Sequence, residues 1–255
     1  MKVISAIADV RAELASAGTV GLVPTMGALH AGHLALFRAA RPDCDTLVAS
    51  VFLNPAQFSD PADVTAYPRD RAADATTAAV EGVDIFFAPE AEEIYPPGFA
   101  TWLEPEGAAI GLEGDNRPGH FRGVATVVLK LFNIVRPQLA WFGRKDAQQV
   151  AVVKQLVRDL NLDIEIRVVD TVRDEDGLAL SSRNARLTHT ERAQAAAISR
   201  ALTTRDPELA RAVLTEAGIT PDYLEVADLD GPTLAIAARV GETRLIDNIR
   251  LDEGA

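Results

Sequence analysis

The sequence predicts an α/β fold: a Rossmann-like parallel sheet with helices on both faces, then a small α+β domain with an antiparallel sheet. Three observations predict it. Apolar runs alternate with helical stretches up to about residue 172, an order that builds a parallel sheet with right-handed crossovers. The pattern then changes at the polar, turn-rich DEDGLALSSRNARL of residues 174–187. Beyond it, turns as short as those at Asp230, Gly231 and Gly241 join strands that must pair antiparallel. The expected domains are residues 1–172 and residues 173–255. The second is too small to be robust alone.

The elements follow in order. Residues 19–23 are apolar and end at Pro24, which reads as a buried strand. A glycine-containing loop leads to a helix over 33–40. Residues 46–52 (TLVASVF) form the next buried strand, closed by Asn54 and Pro55. A helix over 69–81 stops at Gly82 and a strand follows over 83–87. The helical pattern of 120–135 halts before Pro137, and 139–142 is a fourth strand. Residues 146–160 place Val150, Val153, Leu156, Val157 and Leu160 on one side of a helix. Residues 164–169 are the fifth strand. The tail reads as helices over 190–203 and 207–217, then strands over 223–227, 233–240 and 243–249.

Composition excludes several functions. The 255 residues include 37 acidic and 25 basic side chains, a net charge of −12. A nucleic-acid or acidic-membrane binder needs a basic surface instead. Cys44 is the one cysteine, so no intrachain disulfide forms and a reducing compartment is expected. Asp9, Arg11 and Glu13 fall where a signal peptide would be apolar. No apolar run is long enough to span a bilayer. A soluble, cytoplasmic protein is expected. The charge is uneven, because residues 113–158 hold eight basic against three acidic residues. That window is either a solvated helix face or a local site for a small anion.

PTMGALHAGH (24–33) holds two of the four histidines, three apart, where a strand passes through a glycine loop into a helix. Free N–H groups at a helix start favour an anion, and imidazoles can donate to phosphate oxygens. The alternative is a surface loop with incidental histidines. A metal site lacks a neighbouring carboxylate or cysteine. Neither G-x-x-x-x-G-K-[ST] nor G-x-G-x-x-G occurs, which argues against a P-loop kinase or an ordinary dinucleotide dehydrogenase.

The H-A-G-H of residues 30–33 resembles the H-x-G-H loop of the nucleotidyl-transfer superfamily that includes class I aminoacyl-tRNA synthetases. The chain resembles more closely the pantothenate synthetase (pantoate–β-alanine ligase) family. The likeness runs through SVFLNPAQF (50–58), AYPRD (66–70), FAPEAEEIYPPG (87–98), LEGDNRPGHFRGVATVVLKLFNIVRP (112–137), FGRKDAQQ (142–149) and DGLALSSRN (176–184). It continues into YLEVADL and TRLIDN of the tail.

The resemblance implies a two-step reaction. The pantoate carboxylate attacks the α-phosphorus of ATP, giving pantoyl adenylate and pyrophosphate. The β-alanine amine then displaces AMP. It implies Mg²⁺ with ATP, a homodimer, and no covalent protein nucleophile. It assigns His30, His33, Lys145, Ser181, Ser182 and Arg183 to the nucleotide phosphates and their developing charge. Met26, Gly32, Gly143, Asp146, Val172 and Leu180 join them around ATP, while Asn54, Gln57, Arg117, His120 and Gln149 surround pantoate. Asp74 is the candidate for Mg²⁺, against the alternative of a helix acid. Arg122 reads as a surface charge. Arg144 and Ala147 stand where the family commonly has an acid and an aromatic, and the tail is shorter than usual after Leu202 and near Asp230. Two other readings stay open: a nucleotidyltransferase with a phosphate acceptor, and a non-catalytic nucleotide-binding module.

Overall fold

The computed structural model describes residues 1–58, 64–65 and 67–252, so Ala66 of the AYPRD block lies outside the described residues. By internal packing the chain forms two units. The first comprises Met1–Leu29, His33–Phe142 and Val152–Val169; the second comprises His30–Gly32, Gly143–Ala151 and the chain from Asp170 onward.

The first unit contains β1 (Lys2–Ile4), α1 (Ile7–Leu14), β2 (Val20–Thr25), most of α2 (Ala31–Ala40) and β3 (Thr46–Val51). It continues with α3 (Arg71–Val80), β4 (Ile85–Phe87), α4 (Ala91–Ile94), α5 (Leu112–Asn116) and α6 (His120–Val135). β5 (Leu139–Gly143, up to Phe142 in this unit), α7 (Ala147–Asp159, from Val152 in this unit) and β6 (Glu165–Val169) complete the order. The six strands form one parallel sheet in the order β1-β4-β3-β2-β5-β6. The expected parallel sheet with helices therefore holds. Its apolar runs are central strands: Leu47, Val48, Ala49 and Ser50 of β3 are fully buried, as strands covered on both faces must be. Phe37, Phe86 and Trp141 meet in this core, each burial worth about 1.5–3 kcal/mol. Gly21 leaves the room they need, since a Cβ there would lie 2.8 Å from both the Cys44 sulfur and the Trp141 ring.

Two differences from expectation have a clear physical reason. β2 does not stop at Pro24 but runs on to Thr25, with Pro24 opposite Ser50 and Thr25 opposite Val51 of β3. On its other side β2 pairs with β5 only at Gly21 and Leu22. At Pro24 that side carries no ladder, so the missing N–H costs no bond. β1 is absent from the sequence reading because three largely exposed residues give no apolar signal. It is recruited by pairing, with Lys2 opposite Ile85 and Ile4 opposite Phe87.

The second unit holds α8 (His189–Thr203), α9 (Pro207–Glu216), β7 (Pro221–Asp228), β8 (Pro232–Val240) and β9 (Thr243–Arg250). The strands form an antiparallel sheet in sequence order. Val240 faces Thr243 across a two-residue turn in which Gly241 has φ +56°, the conformation such turns require. Thr188 and Glu191 make a reciprocal capping box that starts α8, and the Asp206 side chain accepts from two N–H groups ahead of α9. Ile198, Leu202 and Leu214 of these helices pack with Leu234, Ile236 and Leu245 of the sheet.

Candidate functional site

The expected residues fall into a group in each unit. In the first unit the centre is a buried amide pair. Asn54 is 1% exposed, and its side chain is bonded at both ends. Its Oδ1 accepts from the Ala56 N–H and the Tyr95 hydroxyl, and its Nδ2 donates to Gly123 O and to Gln57 Oε1 at 3.0 Å. The two backbone partners leave one orientation for this amide. Gln57 is then oriented too. Its oxygen is taken, and its Nε2 turns to the Met26 sulfur at 3.2 Å. The glutamine thus presents N–H donors, which suit the oxygens of a carboxylate or hydroxyl.

A second chain holds the backbone of Gln57. His120 is buried; Arg117 Nη1 lies 3.1 Å from its Nε2, and its Nδ1 lies 3.0 Å from Gln57 O. Arginine only donates, so Nε2 accepts and Nδ1 carries the proton given to the carbonyl. Glu113, 3.4 Å from Arg117, anchors the chain. Both His120 nitrogens thus bond to protein groups. Tyr95 and Gly123 are the members the sequence reading missed. Gly123 carried a signal: a glycine inside a helix costs about 1 kcal/mol relative to alanine, so its presence in α6 asks for a packing reason.

Asp74 has a structural task that the sequence reading did not include. It is buried, and its two oxygens accept from Ala28 N at 3.0 Å and Leu29 N at 2.8 Å. Gly27 and Ala28 both lie at positive φ (+85° and +52°), so the carboxylate holds the strained turn that leads into His30. Both oxygens are engaged by backbone N–H groups, which accounts for the burial of Asp74. Among the described residues no three His, Cys, Asp or Glu side chains group as a metal site. Asp74→Asn is expected to remove one acceptor and oppose an N–H with an amide. The loss is about 1–3 kcal/mol, or several degrees in Tm by scanning calorimetry, with the Mg²⁺ dependence of activity unchanged.

In the second unit, His30 folds over Gly32. Its Nδ1 accepts the Gly32 N–H at 3.2 Å, and a Cβ on Gly32 would stand 2.9 Å from the imidazole. Glycine at that place in H-A-G-H lets the imidazole lie close over the backbone. Burial, with the nearby Lys145 charge, lowers the His30 pKa below its ordinary value. The neutral ring places its proton on Nε2 as a donor. Incoming phosphate charge would raise that pKa again. ATP binding near pH 6 is thus expected to take up protons, read by calorimetry as different enthalpies in buffers of different ionisation heat. Equal enthalpies would remove His30 from the phosphates.

The short 3-10 turn Arg144–Asp146 stands ahead of α7, with Lys145 Nζ 3.6 Å from Asp146 Oδ1. A cation at a helix start opposes the dipole. Gly143 begins this turn and Gln149, half-buried, lies in the first turns of α7. Val172 O accepts from Leu180 N, which brings together the two residues expected near the nucleoside. The chain between them forms a tight loop that delivers Ser181. Ser181 caps the 3-10 turn Ser182–Arg186. Lys145, Ser181 and Arg183 line one small cavity with Arg244 and Asp247. Arg244 was not singled out in the sequence, although it lies in the TRLIDN block. His33 belongs to the first unit, where α2 continues.

The charges of the basic window are largely paired. Arg117 pairs with Glu113, Arg122 with Glu104, Arg144 with Asp170 and Arg158 with Asp159. Arg117 lies in the first unit and Lys145 in the second. Arg122 is a partly exposed charge, as expected, stacked 4.2 Å over Trp102.

Comparison with known proteins gives a consistent result. A family model described as pantoate-beta-alanine ligase matches residues 2–250. The chain is 48% identical to a pantothenate synthetase of Chloroflexus aurantiacus, over 99% of each. It is 49% identical to a pantothenate synthetase of Acidobacterium capsulatum over 92% of this chain and 87% of that one. A pantothenate synthetase structure from Thermus thermophilus superposes with a TM-score of 0.94 at 43% identity, over 98% of this chain and 99% of that one. A pantoate-beta-alanine ligase from Francisella tularensis, complexed with beta-gamma ATP and beta-alanine, gives 0.89 at 37% identity over 100% and 99%.

Proposed function

The chain belongs to the pantoate-beta-alanine ligase family, and on that premise we propose how its residues divide the work of joining pantoate to β-alanine with ATP. The enzyme condenses the two acids into pantothenate, with AMP and pyrophosphate as the other products. The pantoate carboxylate attacks the α-phosphorus and pyrophosphate leaves with the broken P–O bond electrons. The β-alanine amine then attacks the acyl carbon of pantoyl adenylate, loses a proton, and expels AMP. Both nucleophiles belong to substrates, so the protein contributes positioning and charge stabilisation.

Gln57, with Gln149, holds pantoate by donating N–H groups to its oxygens. Asn54, Tyr95 and the Glu113–Arg117–His120 chain keep Gln57 in place. His30, His33, Lys145, Ser181, Ser182 and Arg183 receive the phosphates. Met26, Gly32, Gly143, Asp146, Val172 and Leu180 flank the nucleotide. Mg²⁺ enters with ATP as part of that substrate, and no step here depends on a protein-held ion.

The observation that carries this reading is the meeting of Lys145, Ser181 and Arg183 on one cavity. A cation, a hydroxyl and a guanidinium converging there suit phosphate oxygens. The oriented donor of Gln57 favours a carboxylate acceptor over the phosphate acceptor of a related nucleotidyltransferase. The test is direct. ATP and pantoate alone should release pyrophosphate, and AMP should follow when β-alanine is added. Absence of pantoate-dependent pyrophosphate would overturn the proposal.

The working form is a homodimer, expected at twice the 27.3 kDa chain mass by light scattering; a monomer would overturn that assignment. No helix among the described residues is long and apolar enough to cross a membrane. One buried cysteine and ATP as substrate suit the reducing cytoplasm.

A further inference from the structure

The TRLIDN block of β9 contains two buried polar residues, Asp247 and Asn248, that have no part in the roles above. Asn248 is 5% exposed. Its Nδ2 donates to two successive carbonyls, Arg144 O and Lys145 O, each at 2.9 Å. Both partners are pure acceptors, so only the amide nitrogen can face them. This orientation leaves Oδ1 buried with no donor among the described residues. A buried acceptor without a partner is disfavoured. That arrangement persists at the one place where the amide clasps the turn carrying Lys145.

The neighbour secures the clasp. Asp247 takes Arg173 in a two-pronged ion pair at 2.6 and 3.0 Å and also accepts from the Asn248 N–H at 2.8 Å. Arg173 in turn holds Gly177 O at 3.1 Å, in the loop that runs on to Ser181. One connected set of bonds therefore ties the Lys145 turn and the serine-arginine segment to the same strand. Separately, each segment is a short turn with few internal bonds. Lys145, Ser181 and Arg183 share a cavity, and their spacing depends on this link.

We infer that Asn248 is a positioning residue: with Asp247 and Arg173 it sets the register between Lys145 and the 181–183 segment for the ATP phosphates. The inference rests on the ligase reading given above. It separates donor chemistry from shape, because aspartate is nearly the same size as asparagine but would turn a carboxylate oxygen toward two carbonyls.

The experiment compares wild type, Asn248→Asp, Asn248→Ala and Arg173→Lys in pantoate-dependent pyrophosphate release, with pantoate binding followed by calorimetry. Asn248→Asp should raise the KM for ATP or lower turnover by tenfold or more, and should be worse than Asn248→Ala. Pantoate affinity should fall far less than ATP affinity, since of the pantoate residues only Gln149 lies in this unit while Asn54 and Gln57 lie in the other. Wild-type ATP kinetics in Asn248→Asp would overturn the inference. Equal loss of pantoate and ATP binding would also overturn it, by reducing Asn248 to a general structural role. Should the aspartate variant not fold, Asn248→Ala and Arg173→Lys are read by the same split between ATP and pantoate. A wild-type chain that releases no pyrophosphate would instead overturn the ligase reading.

Discussion

Replacing Lys145 by alanine is expected to lower pantoate-dependent pyrophosphate release by roughly 10²-fold while leaving Tm unchanged or slightly raised. A hundredfold loss corresponds to about 2.7 kcal/mol of transition-state stabilisation, a common magnitude for a single group placed against developing charge. The stability expectation has the opposite sign for a physical reason. Lys145 is a cation ahead of α7, where the helix dipole disfavours positive charge by about 0.3–1 kcal/mol. Its salt partner is a neighbouring aspartate at 3.6 Å with a half-exposed side chain, an interaction of little worth in water. Removing the lysine therefore relieves the helix and deprives the phosphates. His33→Ala is expected to cut the same step by tenfold or more, without unfolding. Single-turnover pyrophosphate release with thermal melts in parallel checks both. Normal kinetics in both variants would refute these roles.

Gly123→Ala is expected to be nearly as damaging, by a route through packing. A Cβ at this position in α6 would stand 2.3 Å from Ala56 O and 2.6 Å from Gln57 N. These are backbone atoms, so no side-chain rotation relieves the overlap. The helix and the 3-10 turn Pro55–Gln57 must move apart. Overpacking of this kind costs about 1–3 kcal/mol. The same movement breaks the bond from Asn54 to Gly123 O and frees the amide that orients Gln57. The KM for pantoate should rise tenfold or more, with a lower Tm and ATP affinity little changed. Pantoate saturation curves and calorimetric melts give the two readings.

Much of the sheet was legible because burial on both faces writes itself as unbroken apolar runs. TLVASVF is such a run, and the end of α6 was marked by the proline after it. The misses share a cause. β1 has too few residues to show a pattern and forms because β4 offers an edge. Pro24 looked like a stop because the sequence does not reveal where the neighbouring ladder ends. At the site, charged residues were legible as types: Lys145 ahead of a helix, two histidines in a glycine loop, serines beside Arg183. Their supports were not, because Tyr95 meets Asn54 across 41 positions and Asn248 meets Lys145 across 103. Asp74 was visible as an acid, but its two N–H donors come from a loop far earlier in the chain. The basic window left two readings open, since summing charge along the chain does not see the acids, such as Glu104 and Asp170, that meet it in space.

Cys44 has one further consequence. Its sulfur is buried and donates to Ala40 O, and burial raises the pKa of the thiol. Reaction with an alkylating reagent requires an exposed thiolate. The sheet must therefore open before the label can attach. With a single thiol in the sequence, the labelling rate becomes a clock for opening of the first unit alone. Slower labelling at rising pantoate concentration would report substrate binding as a change in that clock, without any engineered probe.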